Sequence, residues 1–339
     1  MKRSGLSPEA VIDWHNLQSA FHRAALGKWQ RDEVIGFHAR LDAELASLRR
    51  DVLAGDYQPL PMRSFRIRDP KPRIIHAPAF RDRVLHHALM QHVGPRLDRT
   101  LVFDTYACRE GKGTLAAVQR CQQQLRRYPW YCKIDIDGYF ASIEHARLKT
   151  LLRRQFKHPG LLALIDRIID SHQASPGRGL PIGALTSQHF ANAYLAGLDR
   201  LLLETCRARG MLRYMDDVVW WGDSREAVRA TLAQADEFVR DQLGLTIKST
   251  VQINRSAHGI SYCGYRILPC GLRLSRRKRR RYAERRAHWE LAFLAGEIDT
   301  HKLQAGYASA LAITAHANAA GWRRQQLLRA PLDPRLTAV

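Results

Sequence analysis

Two adjacent aspartates, Asp216 and Asp217, stand between two short apolar runs and are the residues of this chain best suited to chemistry. The flanking runs are rich in β-branched and aromatic residues, which predicts two strands joined by a turn that carries both carboxylates. Like charges this close repel each other unless a cation lies between them. Mg²⁺ prefers oxygen ligands, and two such ions about 3.5–4 Å apart drive nucleotidyl transfer. The pair therefore predicts a metal site, against the simpler alternative of a solvated turn.

A second predicted strand, residues 131–137, also ends in carboxylates. If the two segments belong to one sheet, Asp135 lies beside Asp216 and Asp217. Three carboxylates are the minimum that a two-ion site needs.

Helices and strands alternate along the rest of the chain. Helices are predicted over 9–55 with a stop at Gly55, over 82–93, over 143–156, from a cap at Thr186 or Ser187 to Cys206, over 224–243, and from Ser275 onward with breaks at Gly296 and Gly321. Strands are predicted as a hairpin of 65–68 and 73–76, and as the short segments 245–248 and 262–267.

Composition points to a folded protein that binds a polyanion. The 339 residues are 45% hydrophobic and carry 54 Lys and Arg against 32 Asp and Glu, a formal net charge of +22. Nucleic acid is the first candidate partner for such a charge. A membrane partner is not expected, because no long apolar helix or signal peptide is visible. The six cysteines form no CxxC pair, which is typical of reduced thiols and predicts a cytoplasmic location.

The densest charge lies near the C-terminus. Residues 273–286 contain nine Lys or Arg and one Glu. Such a run repels itself, and a phosphate backbone would relieve that repulsion. Tyr282 and Trp289 are spaced by seven, which is compatible with one helix face. We expect residues 272–325 to form a small helical unit that binds a nucleic-acid duplex with a steep salt dependence.

Six motifs follow one another in a recognisable order. They are KPRII, YACREGKG, KIDIDGYFASI, GLPIGALTSQHFAN, RYMDDVVWW and SYCGYRI. Together they resemble a reverse transcriptase over residues 57–270. The resemblance implies an α+β right-hand polymerase fold with a helical N-terminal extension (1–55), fingers (56–130), a palm (131–270) with a fingers insertion near 141–180, and a basic helical thumb with a C-terminal tail (271–339).

The resemblance also implies roles for individual residues. Two Mg²⁺ ions, for which Mn²⁺ can substitute, would be held by the catalytic Asp135, Asp216 and Asp217 and by the backbone carbonyl of Ile136. The incoming nucleotide would be bound by Lys71, Arg73, Gly138, Tyr139, Phe140, Ile182 and Gly183. Within that set Arg73 would grip the triphosphate through its guanidinium fork, and Phe140 would be a steric gate against the ribose 2′-hydroxyl. Relatives often carry Lys or Arg at the position of Asp137, so we expect Asp137 to be non-catalytic.

Template and primer would be contacted by a further set of residues. They are Arg81, Arg83, Arg109, Lys112, Gln188, Tyr214, Met215, Gly264, Arg276, Arg277, Lys278, Arg279 and Arg280. Lys248 is the nearest candidate for a lysine that protonates pyrophosphate.

The glycine-rich loop indicates a subtype. Most relatives have Gln at the position of Ile182 and Ser-Pro at the position of Ser187-Gln188. This chain instead has the pattern Ile-Gly-x-x-x-Ser-Gln, which resembles the reverse transcriptases of diversity-generating retroelements. That implies copying of a template-repeat RNA into cDNA from dNTPs, adenine-biased errors, and a small basic pentameric accessory protein. Ile182 cannot hydrogen-bond near the nucleotide, which offers one hypothesis for low fidelity. The alternatives are a bacterial antiphage-defence reverse transcriptase and a nucleic-acid-binding module that does not use its catalytic residues.

Overall fold

The N-terminal helical stretch forms four helices in the computed structural model, which describes residues 2–68 and 72–332. They are α1 (Pro8–Val11), α2 (Trp14–Ala25), α3 (Asp32–Ala39) and α4 (Leu41–Ala54). Asp13 caps α2 by accepting hydrogen bonds from the backbone N–H groups of His15 and Asn16. Gly55 ends α4 with φ at 74°, a left-handed conformation that glycine adopts without a Cβ penalty. The predicted stop is confirmed.

The predicted hairpin follows these helices. Strands β1 (Arg63–Arg68) and β2 (Pro72–Ala77) pair antiparallel, with Phe65 opposite Ile75 and Ile67 opposite Arg73. All six residues of β1 are exposed, so the hairpin stands away from the core. Residues 69–71, which include the predicted nucleotide contact Lys71, lie outside the described part of the chain.

A four-stranded antiparallel sheet in the order β4-β5-β3-β6 carries the carboxylates. Its strands are β3 (Trp130–Asp135), β4 (Gly210–Tyr214), β5 (Asp217–Gly222) and β6 (Gln252–Arg255). Successive side chains point to opposite faces. On one face Cys132, Ile134 and Trp220 join the larger core beneath α12 (Arg225–Asp241). On the other face Tyr131 and Trp221 join a smaller core with α6 (Thr114–Arg127).

Helices surround this sheet. They are α5 (Phe80–Asp98), α7 (Tyr139–Ser142), α8 (His145–Arg153), α9 (Pro159–Asp170), α10 (Leu185–Tyr194) and α11 (Ala196–Arg200), the last continued by a π-helical turn (Leu201–Thr205). The predicted cap of α10 is wrong: Ala184 occupies the N-cap position, while Thr186 and Ser187 are buried inside the helix. Packing of the first turn outweighs their capping propensity.

Two strand predictions also need correction. Residues 262–267 form a hairpin rather than one strand, because Cys263 and Gly264 adopt φ of 47° and 78° and turn the chain. This hairpin belongs to a second sheet of β7 (Ile260–Tyr262), β8 (Tyr265–Leu268) and β9 (Gly271–Leu274), preceded by a 3₁₀ turn (Ser256–His258). Residues 245–248 contribute only an isolated bridge between Ile247 and Ile136.

Three helices end the described chain: α13 (Arg276–Leu294), α14 (Thr300–Ala312) and α15 (Ala320–Arg329). Gly296 has φ of 73° and follows α13, where a helix break was predicted. The break predicted at Gly321 is wrong, because Gly321 lies inside α15. Tyr282 packs edge-on against Trp322 with ring centroids 5.3 Å apart. Trp289 packs over Gly306. Both aromatics therefore face neighbouring helices and not a nucleic acid. None of the described helices has the length and apolar character required to cross a bilayer.

Candidate active site

The two aspartates lie at the tip of a tight hairpin. Tyr214 pairs with Asp217 across β4 and β5, which leaves Met215 and Asp216 as the turn. Met215 has φ of 60°, a conformation that costs a non-glycine residue about 1–3 kcal/mol and needs support from its surroundings. That support comes from Arg213, whose Nη1 donates to the carbonyl of Met215 at 3.1 Å.

The register of the sheet brings the third carboxylate to the same place. Asp135 is the direct partner of Asp217 on the neighbouring strand, so both side chains share one face. Burial raises the pKa of Asp216, and the charge of Asp135 raises it further. The three acids therefore form one electrostatic cluster, as the sequence predicts, and their mutual repulsion has to be offset by positive charge.

Two lysines offset part of that repulsion. Lys133 Nζ lies 3.1 Å from Oδ2 of Asp217 and also donates to the carbonyl of Ser261 at 3.0 Å. Lys248 Nζ donates to Oδ1 of Asp135. Burial opposes the charge of Lys248, but the hydrogen bond and the charge of Asp135 raise the pKa of Lys248 overall. Sequence analysis missed Lys133, although it lies two residues before Asp135 in β3 and therefore on the same face.

The oxygen atoms of this cluster suit a hard divalent cation. Oδ1 of Asp217 is buried without a hydrogen-bond partner, and an unsatisfied buried oxygen is costly unless a ligand completes it. Asp216 adds a second carboxylate whose charge burial disfavours. Within the described ranges no group of three His, Cys, Asp or Glu side chains converges as a ready-made metal cage. Lys248 pairs with Oδ1 of Asp135, so that carboxylate is already engaged within the protein.

The titration of Asp217 provides a test of this cluster. Burial raises the pKa of Asp217 to about 6 against the opposing charge of Lys133. Between about pH 4 and 6 the folded protein then holds a proton that the unfolded chain has released, so the free energy of unfolding falls as pH rises. We expect metal-free wild type to lose up to about 3 kcal/mol relative to Asp217→Asn across this window. Melting curves in EDTA measure the difference. If the free energy of unfolding changed with pH equally in the two proteins, the raised pKa of Asp217 would be contradicted.

Most of the residues predicted to bind the nucleotide keep part of their surface open, but one of their side chains is buried in the core. Arg73 is exposed on β2, and its charge lowers the pKa of Asp216. Gly138 takes φ of 50° at the start of α7, and Phe140 is half-buried beside it. Tyr139 is buried, and its hydroxyl donates to the carbonyl of Ala191. The prediction for Tyr139 is therefore wrong for its side chain, which belongs to the core.

The glycine-rich loop joins the hairpin to the sheet. The N–H of His76 donates to the carbonyl of Ile182 at 2.8 Å, and the Ile182 side chain is half-buried. Gly183 has φ of 125°, and a Cβ there would lie 2.8 Å from Cγ2 of Ile75 and 3.0 Å from the carbonyl oxygen of His76. Glycine is thus required here by the close approach of β2, a reason that does not depend on the predicted contact of Gly183 with the nucleotide.

Three predicted phosphate contacts are engaged inside the protein. Arg81 pairs with Asp51, and Arg83 pairs with Glu33. Arg109 binds Asp98 at 2.5 and 3.2 Å and donates to the carbonyls of residues 102 and 105. These arginines fasten helices and loops together. The predictions that they face template or primer are therefore corrected, because their half-buried side chains are already paired with partly exposed carboxylates.

The other predicted nucleic-acid contacts outside the basic helix keep part of their surface open. Lys112 donates to the carbonyl of Phe103 at 3.0 Å and lies 3.3 Å from its ring centroid. Gln188 accepts a hydrogen bond from the Cys108 thiol. Tyr214 shares a 3.1 Å hydrogen bond with Thr114. Half-buried Met215 and exposed Gly264, the latter in the β7–β8 turn, complete this set.

The basic helix α13 presents most of its charge outward. Arg276, Arg277, Arg279 and Arg280 are exposed. Arg280 forms a 3.1 Å ion pair with Glu284. Lys278 is half-buried, with Nζ 3.4 Å from the ring centroid of Tyr265. This contact fixes the start of the helix beside the β7–β8 hairpin, so the exposed arginines follow directly from that hairpin.

A buried ion pair that the sequence does not reveal supports the catalytic turn. Arg213 and Asp199 are both fully buried and form two hydrogen bonds of 2.7 Å. Arg213 also donates to the side chain and the carbonyl of Asn192, at 2.8 and 3.0 Å. Thr105 donates to Asp199 at 3.1 Å. The partners lie far apart in sequence, and no local pattern links them.

Comparison with known proteins agrees with this geometry. Residues 67–267, more than half of the chain, match the family described as reverse transcriptase (RNA-dependent DNA polymerase). Protein YkfC of Escherichia coli is 28% identical over 57% of this chain and 53% of its own length, so the chain spans about half of that relative. The putative COX1/OXI3 intron 2 protein of Saccharomyces cerevisiae is 20% identical over 36% of this chain and 15% of its own length.

Solved structures show weaker likeness. Apo telomerase from Candida tropicalis aligns with a TM-score of 0.49 at 11% identity, over 64% of this chain and 49% of that chain. A form truncated from the C-terminal domain gives 0.45, at 11% identity, over 63% and 54%. Both scores lie below 0.5, so the assignment rests on the sequence match. The fold is α+β and is the right-hand polymerase architecture of that family. By the match over residues 67–267, this chain belongs to the reverse transcriptase family.

Proposed function

We propose that this chain is an RNA-directed DNA polymerase that copies a template RNA into cDNA. One observation carries the proposal: Asp135 and Asp217 are register partners, with Asp216 in the turn beside them, and the charge of Arg73 on the β1–β2 hairpin acts on Asp216. A cluster of acids opposite an exposed guanidinium suits a nucleoside triphosphate, whose phosphates bind the arginine.

We infer that the cluster holds two Mg²⁺ ions. Asp135, Asp216, Asp217 and the carbonyl of Ile136 are the oxygens that would hold them. Bound ions of this kind lower the pKa of an attacking hydroxyl and stabilise charge on the leaving phosphate. Arg73 orients the triphosphate, and Phe140 excludes a ribose 2′-hydroxyl. Lys248 would have to leave Asp135 for a metal ion to bind there, and we propose that its ammonium would then protonate the leaving pyrophosphate.

We propose a domain division in which residues 1–55 form a helical N-terminal extension and residues 56–130 form the fingers. Residues 131–270 would form the palm, with a fingers insertion near 141–180. Residues 271–339 would form the basic thumb and C-terminal tail, with Arg276, Arg277, Arg279 and Arg280 on the primer–template duplex. The partners would be template RNA, the primer or cDNA strand, and dNTPs.

Within the family we propose the diversity-generating subtype. Support comes from Ile182 and the Ser187-Gln188 pair in the glycine-rich loop. In this reading a small basic pentameric accessory protein helps to bind the template-repeat RNA, and errors concentrate at adenines. The first experiment is Mg²⁺-dependent dNTP incorporation on an RNA template, with and without the accessory protein, followed by sequencing of the product. Errors opposite adenines support the subtype, while accurate or untemplated products favour an antiphage-defence polymerase.

Substitution of Ile182 by glutamine tests the proposed basis of low fidelity. Ile182 is half-buried and supplies no side-chain hydrogen bond, whereas glutamine could hold the nucleotide sugar. We expect Ile182→Gln to lower the adenine error rate about tenfold, since each 1.4 kcal/mol of discrimination is a factor of ten. Sequencing of cDNA from both enzymes measures it. Ile182→Leu is the control and should keep the wild-type error pattern. An unchanged spectrum in Ile182→Gln would sink this account.

A second candidate is a nucleic-acid-binding module without catalysis. The observation in its favour is that Lys133 and Lys248 neutralise Asp217 and Asp135. If Mg²⁺ does not displace Lys248, the chain would bind template and primer without extending it. Absence of any product, together with normal duplex binding, would select this candidate.

A further inference from the structure

A cavity of about 540 Å³ lies at the end of the central sheet away from the carboxylates. Trp130 begins β3 and Asp135 ends it, so the two are about 17 Å apart at roughly 3.3 Å per residue. The wall of the cavity includes Arg126, Arg127, Tyr128, Trp130, Arg255 and Ser256. The end of α6, the first residue of β3 and the last residue of β6 meet here. The proposed polymerase reaction uses none of these side chains.

The charge of this cavity has no counterpart inside the protein. No Asp or Glu lines it. In the described part of the chain Arg126, Arg127 and Arg255 form no ion pair with a carboxylate, unlike Arg81, Arg83 and Arg109 elsewhere. Arg126 donates only to the carbonyl of Pro269, at 2.6 Å. Three like charges at one cavity repel each other, and an external anion would stabilise them.

Aromatic rings are interleaved with these arginines. The guanidinium of Arg255 lies 5.4 Å from the ring centroid of Trp130, its direct partner across the sheet. The guanidinium of Arg127 lies 5.3 Å from the ring centroid of Tyr128. Both rings are half-buried, so each keeps an open part. Alternating guanidinium and aromatic planes are surfaces on which nucleobases stack without sequence preference.

A buried hydroxyl in the wall is unsatisfied. Ser256 is 2% exposed, and its Oγ has no hydrogen-bond partner. A buried polar group without a partner costs about 1–3 kcal/mol. The backbone N–H of Ser256 is already bound to the carbonyl of Pro129 at 2.8 Å, so only the hydroxyl is available. It could pair with a phosphate oxygen or a ribose 2′-hydroxyl.

We propose that this cavity binds a single-stranded RNA segment outside the polymerase cleft. Positive charge alone would equally suit an acidic peptide, but the rings beside the guanidiniums favour stacked bases. Ser256 adds a contact that the hydroxyl of RNA can satisfy. The segment would anchor template RNA about 17 Å from the carboxylates, by the strand length above. The proposal depends on the proposed function only in taking the RNA to be the template.

The test separates this cavity from the cleft. The protein is first saturated with a short primer–template duplex, and binding of a fluorescent 12-nucleotide single-stranded RNA is then measured by anisotropy at several salt concentrations. The variant is Arg127→Glu with Arg255→Glu, which leaves Arg126 and its structural hydrogen bond in place. The matched control is Arg49→Glu with Arg50→Glu on α4, an equal change of charge at two exposed arginines. Extension of the same duplex is assayed in parallel.

The cavity variant is expected to lose at least tenfold in affinity for the single strand. Its slope of log K against log salt should fall by about 1.4, at about 0.7 per phosphate contact, while the control variant behaves as wild type. Photocrosslinking with 4-thiouridine RNA should label the peptide that contains Tyr128 and Trp130. Equal binding by the cavity variant and the control would overturn the proposal, as would preference for poly-glutamate over RNA. Failure of extension by wild type would instead reject the proposed polymerase function.

Discussion

Replacing Asp216 by asparagine is expected to lower kcat for dNTP incorporation at least about a thousandfold. Asp216 lies in the turn, and the charges of Asp135 and Arg73 both act on its carboxylate. Asparagine keeps the shape but removes the charge that holds a cation. Loss of several kcal/mol of transition-state stabilisation corresponds to this factor, at about 1.36 kcal/mol per tenfold. Single-turnover extension of a labelled primer at saturating dNTP measures it.

Asp137 provides the matched control for this substitution. It is an acid of the same type two residues after Asp135, but it is exposed beyond the end of β3. Its backbone N–H, which the substitution keeps, donates to the carbonyl of Thr246 at 2.8 Å. We expect Asp137→Asn to retain wild-type kcat. Both variants should melt within a few degrees of wild type. Full activity in Asp216→Asn, or loss of activity in Asp137→Asn, would refute the assignment of the metal ligands.

Replacing Arg213 by methionine is expected to destabilise the protein by about 3–5 kcal/mol. The substitution would leave the carboxylate of Asp199 fully buried without its partner, and an uncompensated buried charge costs about that much. It would also remove the donor to the carbonyl of Met215, so the turn with φ of 60° would lose its support. Urea unfolding measures the first effect.

A double variant separates the two effects. Arg213→Met with Asp199→Leu removes both charges and should recover most of the lost stability, because an apolar pair of similar volume often replaces a buried ion pair at little cost. It still lacks the hydrogen bond to Met215. We therefore expect the double variant to fold yet to show a raised Mg²⁺ requirement, since the position of Asp216 is no longer fixed. Wild-type Mg²⁺ dependence in the stable double variant would show that Arg213 acts on stability alone.

Side chains in regular strands were the predictable part of the site. The two-residue period of β3 places Lys133 and Asp135 on one face of that strand, and the antiparallel register with β5 then brings Asp217 to the same face. The same two-residue period identifies Lys133, which lies two residues before Asp135 on the same face of β3.

Charge alone predicted less well. The arginines 81, 83 and 109 were expected at phosphates, yet acids from α3, α4 and α5 neutralise them. Tyr139 lies next to the predicted steric gate but packs into the core against α10. Neither outcome follows from composition or spacing, because each depends on which distant residue the fold brings within hydrogen-bond reach.

The sequence by itself determined the alternation of helices and strands, the place of the carboxylates at a strand end and a turn, and the strong positive charge. These properties are local, since backbone geometry fixes which side chains share a face. Only the tertiary structure decided which arginines are neutralised, why Gly183 has no side chain, and how Arg213 supports the catalytic turn. These depend on contacts between residues far apart in the chain, whose energies arise only when burial removes water from both partners.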